Sequence, residues 1–172
     1  QPSYLNNEQV AVSMPFAFLF DELMKGGGVG FSVTDDNINQ IPSVDHKINL
    51  SIVIDKSSAS YDESISAGAY DRNDIKKPLQ ENEIYYQLPD TREGWVLAVA
   101  QLIDLHFKNT NQNNVNKLIL DMTNIRPRGA KIHGFGGTAS GPTPLIEMLQ
   151  DVNKVLNAKD GTNLSAVDCT DI

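Results

Sequence analysis

The run KLILDM at residues 117–122 constrains the fold more than any other stretch of this 172-residue chain. Bounded upstream by the Asn-rich segment 109–116, it reads as a buried strand. Downstream, residues 124–142 (NIRPRGAKIHGFGGTASGP) are too dense in Gly and Pro for either regular element and read as a long loop. A helix must follow, with Thr143 as its cap and Pro144 at the first position, where a missing N–H does little harm. Leu145, Met148, Leu149, Val152, Val155 and Leu156 then recur at i, i+3, i+4, i+7 spacing and give that helix one apolar face.

The rest of the chain alternates in the same way. Ser13 is placed to cap a helix running to about Lys25, with Pro15 in its first turn and Leu19, Phe20, Leu23 and Met24 at helical spacing. Gly26, Gly27 and Gly28 end it, and Val29, Phe31 and Val33 alternate with small residues as a buried strand. Ile48, Leu50, Ile52 and Ile54 predict a second strand. Ser57–Ala67 reads as a helix carrying Tyr61 and Ile65 on one face, and residues 68–83 as polar and irregular. The clearest helix opens at Asp90, which stands at capping-box spacing from Glu93, and runs to Lys108 with Trp95, Val99, Leu102, Ile103 and Phe107 on its apolar side. Ser165, with Asp168 three residues on, caps a last helix. Strands and helices in alternation imply an α/β fold.

Charge limits the partners. A formal net charge of −8 argues against broad nucleic-acid binding, because neutralising phosphates takes a surplus of Lys and Arg. No apolar run reaches membrane-spanning length, so no membrane association is expected. The lone Cys169 allows no internal disulfide and favours a reducing, cytoplasmic compartment. The chain opens on Gln1 and closes on residues that read like the start of a helix, so a segment of a longer protein is expected.

The loop 124–142 concentrates the positive charge. It carries Arg126, Arg128, Lys131 and His133, and between Asp121 and Gly141 only Asp121 is acidic. Arginine forks and a glycine-rich backbone suit a polyphosphate. A solvated turn whose basic residues face water fits the same residues, and both readings stay open. Gly134–Ala139 formally matches a dinucleotide fingerprint, but Ser140, Gly141 and Pro142 delay the helix to Thr143, so the pyrophosphate would not meet a helix N-terminus. No P-loop is present, and the serine of Gly137–Gly141 stands one place late for a nucleophile elbow. His46, His106, His133 and Cys169 lack metal-ligand spacing. His106 reads as a packing or helix-end residue and Cys169 as a small buried hydrophobe. Asp21 with Glu22, and Asp35 with Asp36, read as solvated faces and turns. The glycines of KGGGVG read blandly as a helix C-cap.

Three segments carry a resemblance: VSMPFAFLFDELMKGGGVGFSV (12–33), LPDTREGWVLAVAQLIDLHF (88–107) and IRPRGAKIHGFGGTASGPTPLIEMLQDVNKVLN (125–157). Together they resemble the monomeric, adenosylcobalamin-dependent ribonucleoside-triphosphate reductases, from about Pro2 to Ile172. The resemblance implies part of a ten-stranded α/β barrel with an inserted helical effector-site segment. It also implies replacement of the ribose 2'-hydroxyl by hydrogen, for deoxyribonucleotide and DNA synthesis. A thiyl radical generated through adenosylcobalamin starts that reaction, and a thioredoxin-like dithiol supplies the electrons. The catalytic cysteines and the cobalamin site would lie outside this segment, and Cys169 falls on none of those motifs.

Residue by residue, the resemblance implies that backbone at Gly26 and Gly27 approaches the ribonucleoside triphosphate substrate. Arg126 would contact a deoxyribonucleoside triphosphate effector, with Arg128, Lys131 and Ile132 close by. Residues 1–39 and 117–172 would be barrel segments. Residues 40–116 would be an insertion supplying, from the same chain, helices that dimeric relatives take from a partner, so the complete protein is expected to be monomeric. A non-catalytic nucleotide-binding regulatory module is the alternative, and a split or intein-interrupted coding piece a third reading.

Overall fold

The computed structural model describes residues 11–107, 114–132 and 136–172. Four short strands form one sheet: β1 (Asn49–Ile54), β2 (Tyr70–Asp71), β3 (Glu83–Gln87) and β4 (Lys117–Asp121). Their order is β2-β1-β4-β3, and every pairing is parallel. Helices α1 (Met14–Met24), α2 (Asp35–Ile38), α3 (Tyr61–Ser66), α4 (Arg92–Leu105), α5 (Thr143–Ala158) and α6 (Ala166–Asp171) surround the sheet, with a 3-10 turn at Arg72–Asp74. The expected α/β character is present.

β4 holds the middle of the sheet, as its unbroken apolar run requires. It pairs with β1 from Asn49↔Lys117 to Val53↔Asp121 and with β3 from Glu83↔Lys117 to Gln87↔Asp121. Side chains alternate across a strand, so Leu118 and Leu120 share one face with Ile52 and Ile54. That face packs with Val99, Leu102 and Ile103 of α4 and Leu145, Leu149, Val152 and Leu156 of α5. Val53 and Ile119 point the other way and are also fully buried, as expected of strands covered on both faces. Asn157 ties the end of α5 to the start of β1, accepting from the Ile48 N–H at 2.9 Å and donating to its carbonyl at 3.0 Å. The same amide oxygen lies 3.2 Å from Nε2 of the buried His106, whose Nδ1 is 2.8 Å from the Leu102 carbonyl. His106 is thus a packing residue at the end of α4.

Several expected details changed on folding, each because a distant side chain competed with a local one. Ser13 stands at the N-cap position of α1 as expected but makes no side-chain cap bond: its N–H and hydroxyl both donate to the Asp104 carboxylate of α4, at 2.9 and 2.7 Å. Thr143 does not cap α5 either, because its hydroxyl donates to Glu63 at 2.9 Å. The cap of α4 is Thr91, whose hydroxyl accepts from the Gly94 N–H at 3.0 Å, and Asp90 serves elsewhere. The Ser165–Asp168 capping box forms as expected.

Two larger differences concern strands. Residues 29–33 make no strand; a ladder needs a neighbour, none of the described strands runs beside them, and Phe31 is 59% exposed. Conversely, the stretch read as irregular contains β2 and leads into β3, whose EIYYQ sequence pairs on one side only. The helix expected over 57–67 shortens to Tyr61–Ser66, because the Ser57 N–H and hydroxyl turn back onto Asp55 at 2.9 and 2.6 Å. Lys108 and part of the Asn-rich loop lie outside the described residues.

Candidate functional site

In open parallel sheets, ligand sites form beyond the carboxyl ends of the strands, where successive connections diverge. Here the chain leaves β1 toward β2 on one side, while β3 and β4 lie on the other. The segments leaving the carboxyl ends of β3 and β4 are residues 88–91, which lead into α4, and the loop 122–142, which leads into α5. Between them opens a cleft of about 560 Å³, lined on one side by Asp90, Thr91, Arg92 and Trp95, and on the other by Ile125, Arg126, Ile132 and residues 136 and 138–141, with Met24 of α1 at its margin.

The loop wall is a folded ribbon. Gly129 N–H donates to the Ala139 carbonyl at 2.9 Å, Ala139 N–H to the Ala130 carbonyl at 2.8 Å, and Lys131 bridges Thr138 in antiparallel fashion. Gly141 closes the return at φ +76°, and a Cβ there would stand 3.0 Å from the Arg128 amide nitrogen. Any other residue would push the ribbon off Arg128.

The base of this loop is anchored by a dense polar network. Asp121, fully buried at the end of β4, accepts from the hydroxyls of Tyr85 and Thr123 and from the Thr123 N–H at 2.8 Å. Arg72 bridges Asp55 at 2.7 Å and Asp121 at 3.6 Å. Burial, reinforced by the bond to Asp121, pushes the Tyr85 phenol up to about 12. Nearby, the Asn73 N–H and the Lys56 ammonium hold the Asp71 carboxyl down to about 2. These groups satisfy one another, so the network fixes β4 and the first residues of the loop.

The residues singled out from sequence do not all converge. Arg126 and Ile132 line the cleft; Arg128 and Lys131 do not. The Arg126 Nε donates to Asp90 Oδ2 at 2.6 Å, and its Nη2 lies 3.5 Å from the Asp90 carbonyl. The Arg126 side chain remains 36% exposed, and its guanidinium has N–H groups beyond the single one given to the carboxylate. Arg128 is 65% exposed and reaches Glu63 at 2.8 Å, the carboxylate that also accepts from Thr143. Lys131 is exposed. His133 lies outside the described residues. Both arginines therefore hold internal carboxylates, and Arg126 does so at the edge of an open cleft.

Gly26 and Gly27 stand apart from the cleft, at the end of α1. Their N–H groups close that helix, donating to Leu23 and Glu22 at 2.9 Å each. Gly26 takes the left-handed conformation at φ +76°, as a helix C-cap does. Both residues are exposed, and what they offer a ligand is bare main chain with its N–H groups already used.

Trp95 and Arg92 escaped the sequence reading as site residues. The spacing of Trp95 marked it as part of the helix's apolar side, and Arg92 was not singled out. Arg92 also joins α4 to α1 through Asp21 at 3.0 Å. Cys169 is half-buried and its thiol is pushed up by burial, in keeping with a packing role.

A parallel α/β sheet with an arginine-bearing cleft beyond its carboxyl ends has the form in which proteins of the α/β class hold small ligands. The chain belongs to the B12-dependent ribonucleotide reductase family, since residues 48–156 match the family model described as its insertion domain. It is 66% identical over 173 aligned positions to the adenosylcobalamin-dependent ribonucleoside-triphosphate reductase of Lactobacillus gasseri and 63% identical to that of Lactobacillus helveticus. Each alignment covers 99% of this chain and 23% of the relative, so the chain spans about a quarter of the length of the curated relatives it matches. A crystal structure described as B-12 dependent (class II) ribonucleotide reductase superposes with a TM-score of 0.92 at 63% identity, over 98% of this chain and 23% of that one.

Proposed function

We propose that this chain is the effector-binding part of an adenosylcobalamin-dependent ribonucleoside-triphosphate reductase. Its cleft would take a deoxyribonucleoside triphosphate that tunes which ribonucleotide is reduced. The observation that carries this reading is the convergence of Arg126 and Ile132, from the loop after β4, with Arg92 and Trp95 of α4 on one cleft. A triphosphate seeks charge-assisted N–H donors, and Arg126 offers them where a ligand can reach. Asp90 acts as the resident counter-ion, keeping the guanidinium ordered until phosphate oxygens take its remaining N–H groups.

In this reading residues 40–116 supply α4 as one wall of the site, and 117–172 supply the loop wall. Both walls come from a single chain, which supports a complete enzyme that works as a monomer. Residues 1–39 would belong to the barrel, and exposed backbone at Gly26 and Gly27 would meet the substrate ribonucleotide. Arg128 and Lys131 would supply a surrounding positive field from behind the cleft's lining residues. A thioredoxin-like dithiol would reduce the complete enzyme.

Adenosylcobalamin supplies the radical when bound to the whole protein. The cleft, at about 560 Å³, is of the size that small ligands use and too small for a corrin with its nucleotide tail, and no histidine is among its described lining residues. No cobalamin step is assigned to these residues. Their part is to bind and orient a nucleotide anion.

Arg126→Ala in the intact enzyme tests the reading. Effector-dependent substrate choice should weaken while basal turnover without effector stays close to that of the parent. Equal loss of turnover with and without effector would remove Arg126 from this role.

A further inference from the structure

We propose that Trp95 is the platform on which the base of the bound nucleotide stacks, so that this residue distinguishes a nucleotide from a bare polyphosphate. The proposal rests on the nucleotide reading above.

The cleft is divided chemically. Its charged groups, Asp90, Arg92 and Arg126, gather where α4 begins and the loop leaves β4, while Thr138 and Ser140 add only uncharged hydroxyls on the loop wall. Its apolar surface comes from Trp95, Met24, Ile125, Ile132 and Ala139. A ligand that fills such a cleft carries anionic groups at one end and a flat apolar body at the other. A nucleoside triphosphate has that form, and inorganic polyphosphate has only half of it.

Trp95 is suited to hold the flat end. It lies three residues after Arg92, so the two side chains share one face of α4. A cation for phosphate and an aromatic ring for a base thus stand within one helical turn. Its neighbours on α4, Val96, Val99 and Leu102, are buried in the core, whereas Trp95, the only tryptophan in the chain, is half-buried, packing in part against the core and in part lining the cleft. Among the described lining residues Trp95 alone is aromatic. Every base presents a π-face, so an indole accepts any of them. It would therefore favour nucleotides in general and leave the choice among bases to other residues.

A Trp95 whose only part is its packing against the core would give a different pattern of losses. The test measures equilibrium binding of a deoxyribonucleoside triphosphate and of inorganic tripolyphosphate to the intact polypeptide, counting only the component that Arg126→Ala abolishes. Stacking energies of this class predict that Trp95→Leu weakens the nucleotide about ten- to hundredfold and tripolyphosphate at most about twofold. Trp95→Phe, which restores a π-face, should recover most of the nucleotide affinity. Equal weakening of both ligands by Trp95→Leu, or undiminished nucleotide binding, would overturn the proposal while leaving the Arg126 site standing. Nucleotide binding that is indifferent to Arg126→Ala would instead bring down the underlying reading, and the stacking role with it.

Discussion

Asp121→Ala removes the acceptor at the centre of the network that anchors the loop after β4, and its cost follows from the geometry. The carboxylate is fully buried and accepts from two hydroxyls, Tyr85 and Thr123, and from the Thr123 N–H. A hydrogen bond to a charged acceptor contributes about 1.5–3 kcal/mol, but three that share one acceptor do not add fully. The Arg72 contact at 3.6 Å counts for little, because that side chain is 36% exposed and keeps Asp55. Removing the buried acceptor and stranding its donors therefore costs about 3–5 kcal/mol. Asp121→Asn retains a carbonyl acceptor of the same size and should cost about 1–2 kcal/mol. Native-state hydrogen exchange on the intact polypeptide reads this locally, in peptides spanning β4 and the first loop residues. The alanine variant should raise their opening constant by about a hundred- to several-thousandfold, at 1.4 kcal/mol per factor of ten. Protection unchanged to within about tenfold would refute the reasoning.

Other consequences follow from single contacts. Gly94→Ala would bring a Cβ to 2.7 Å from the Pro89 carbonyl oxygen, so α4 must shift at its start, and a loss of about 1–3 kcal/mol is expected in denaturant unfolding. Arg128→Ala should weaken deoxyribonucleotide binding much less than Arg126→Ala in the same titration, since Arg128 lies outside the cleft wall and is well exposed. His106 is buried, and burial holds its pKa below the usual 6.5, so the unfolded chain binds more protons once pH falls through that value. Stability should be fully present above pH 6.5 and decline as pH falls below it; His106→Gln should flatten that decline in a thermal-shift series.

Much of the fold was legible because local pattern and burial agree. KLILDM became the central strand, the alternation at Ile48–Ile54 its neighbour, and the periodic faces of α4 and α5 cover them. The caps were misread where a long-range partner outbid the local bond: Asp104 for Ser13, Glu63 for Thr143, Arg126 for Asp90. β3 was missed because EIYYQ sits at a sheet edge with half-buried, polar-tipped residues, and its signal is a cross-strand one, Glu83 with Lys117 at 2.6 Å. Of the site, Arg126 stood out through the basic, glycine-rich loop, and Ile132 entered only through the family resemblance. Trp95 and Arg92 stood out in neither way, since their part depends on where β3 delivers α4 relative to that loop. No spacing within the sequence encodes that meeting.

The central claim is that Arg126 at this cleft holds the phosphates of a nucleotide. A structure of the intact polypeptide with a bound deoxyribonucleoside triphosphate tests it through one distance, from the Arg126 guanidinium to the nearest phosphate oxygen. The account expects about 2.7–2.9 Å, with the Asp90 contact shared or released. Nucleotide bound elsewhere, with Arg126 still clasped by Asp90 alone, would contradict it.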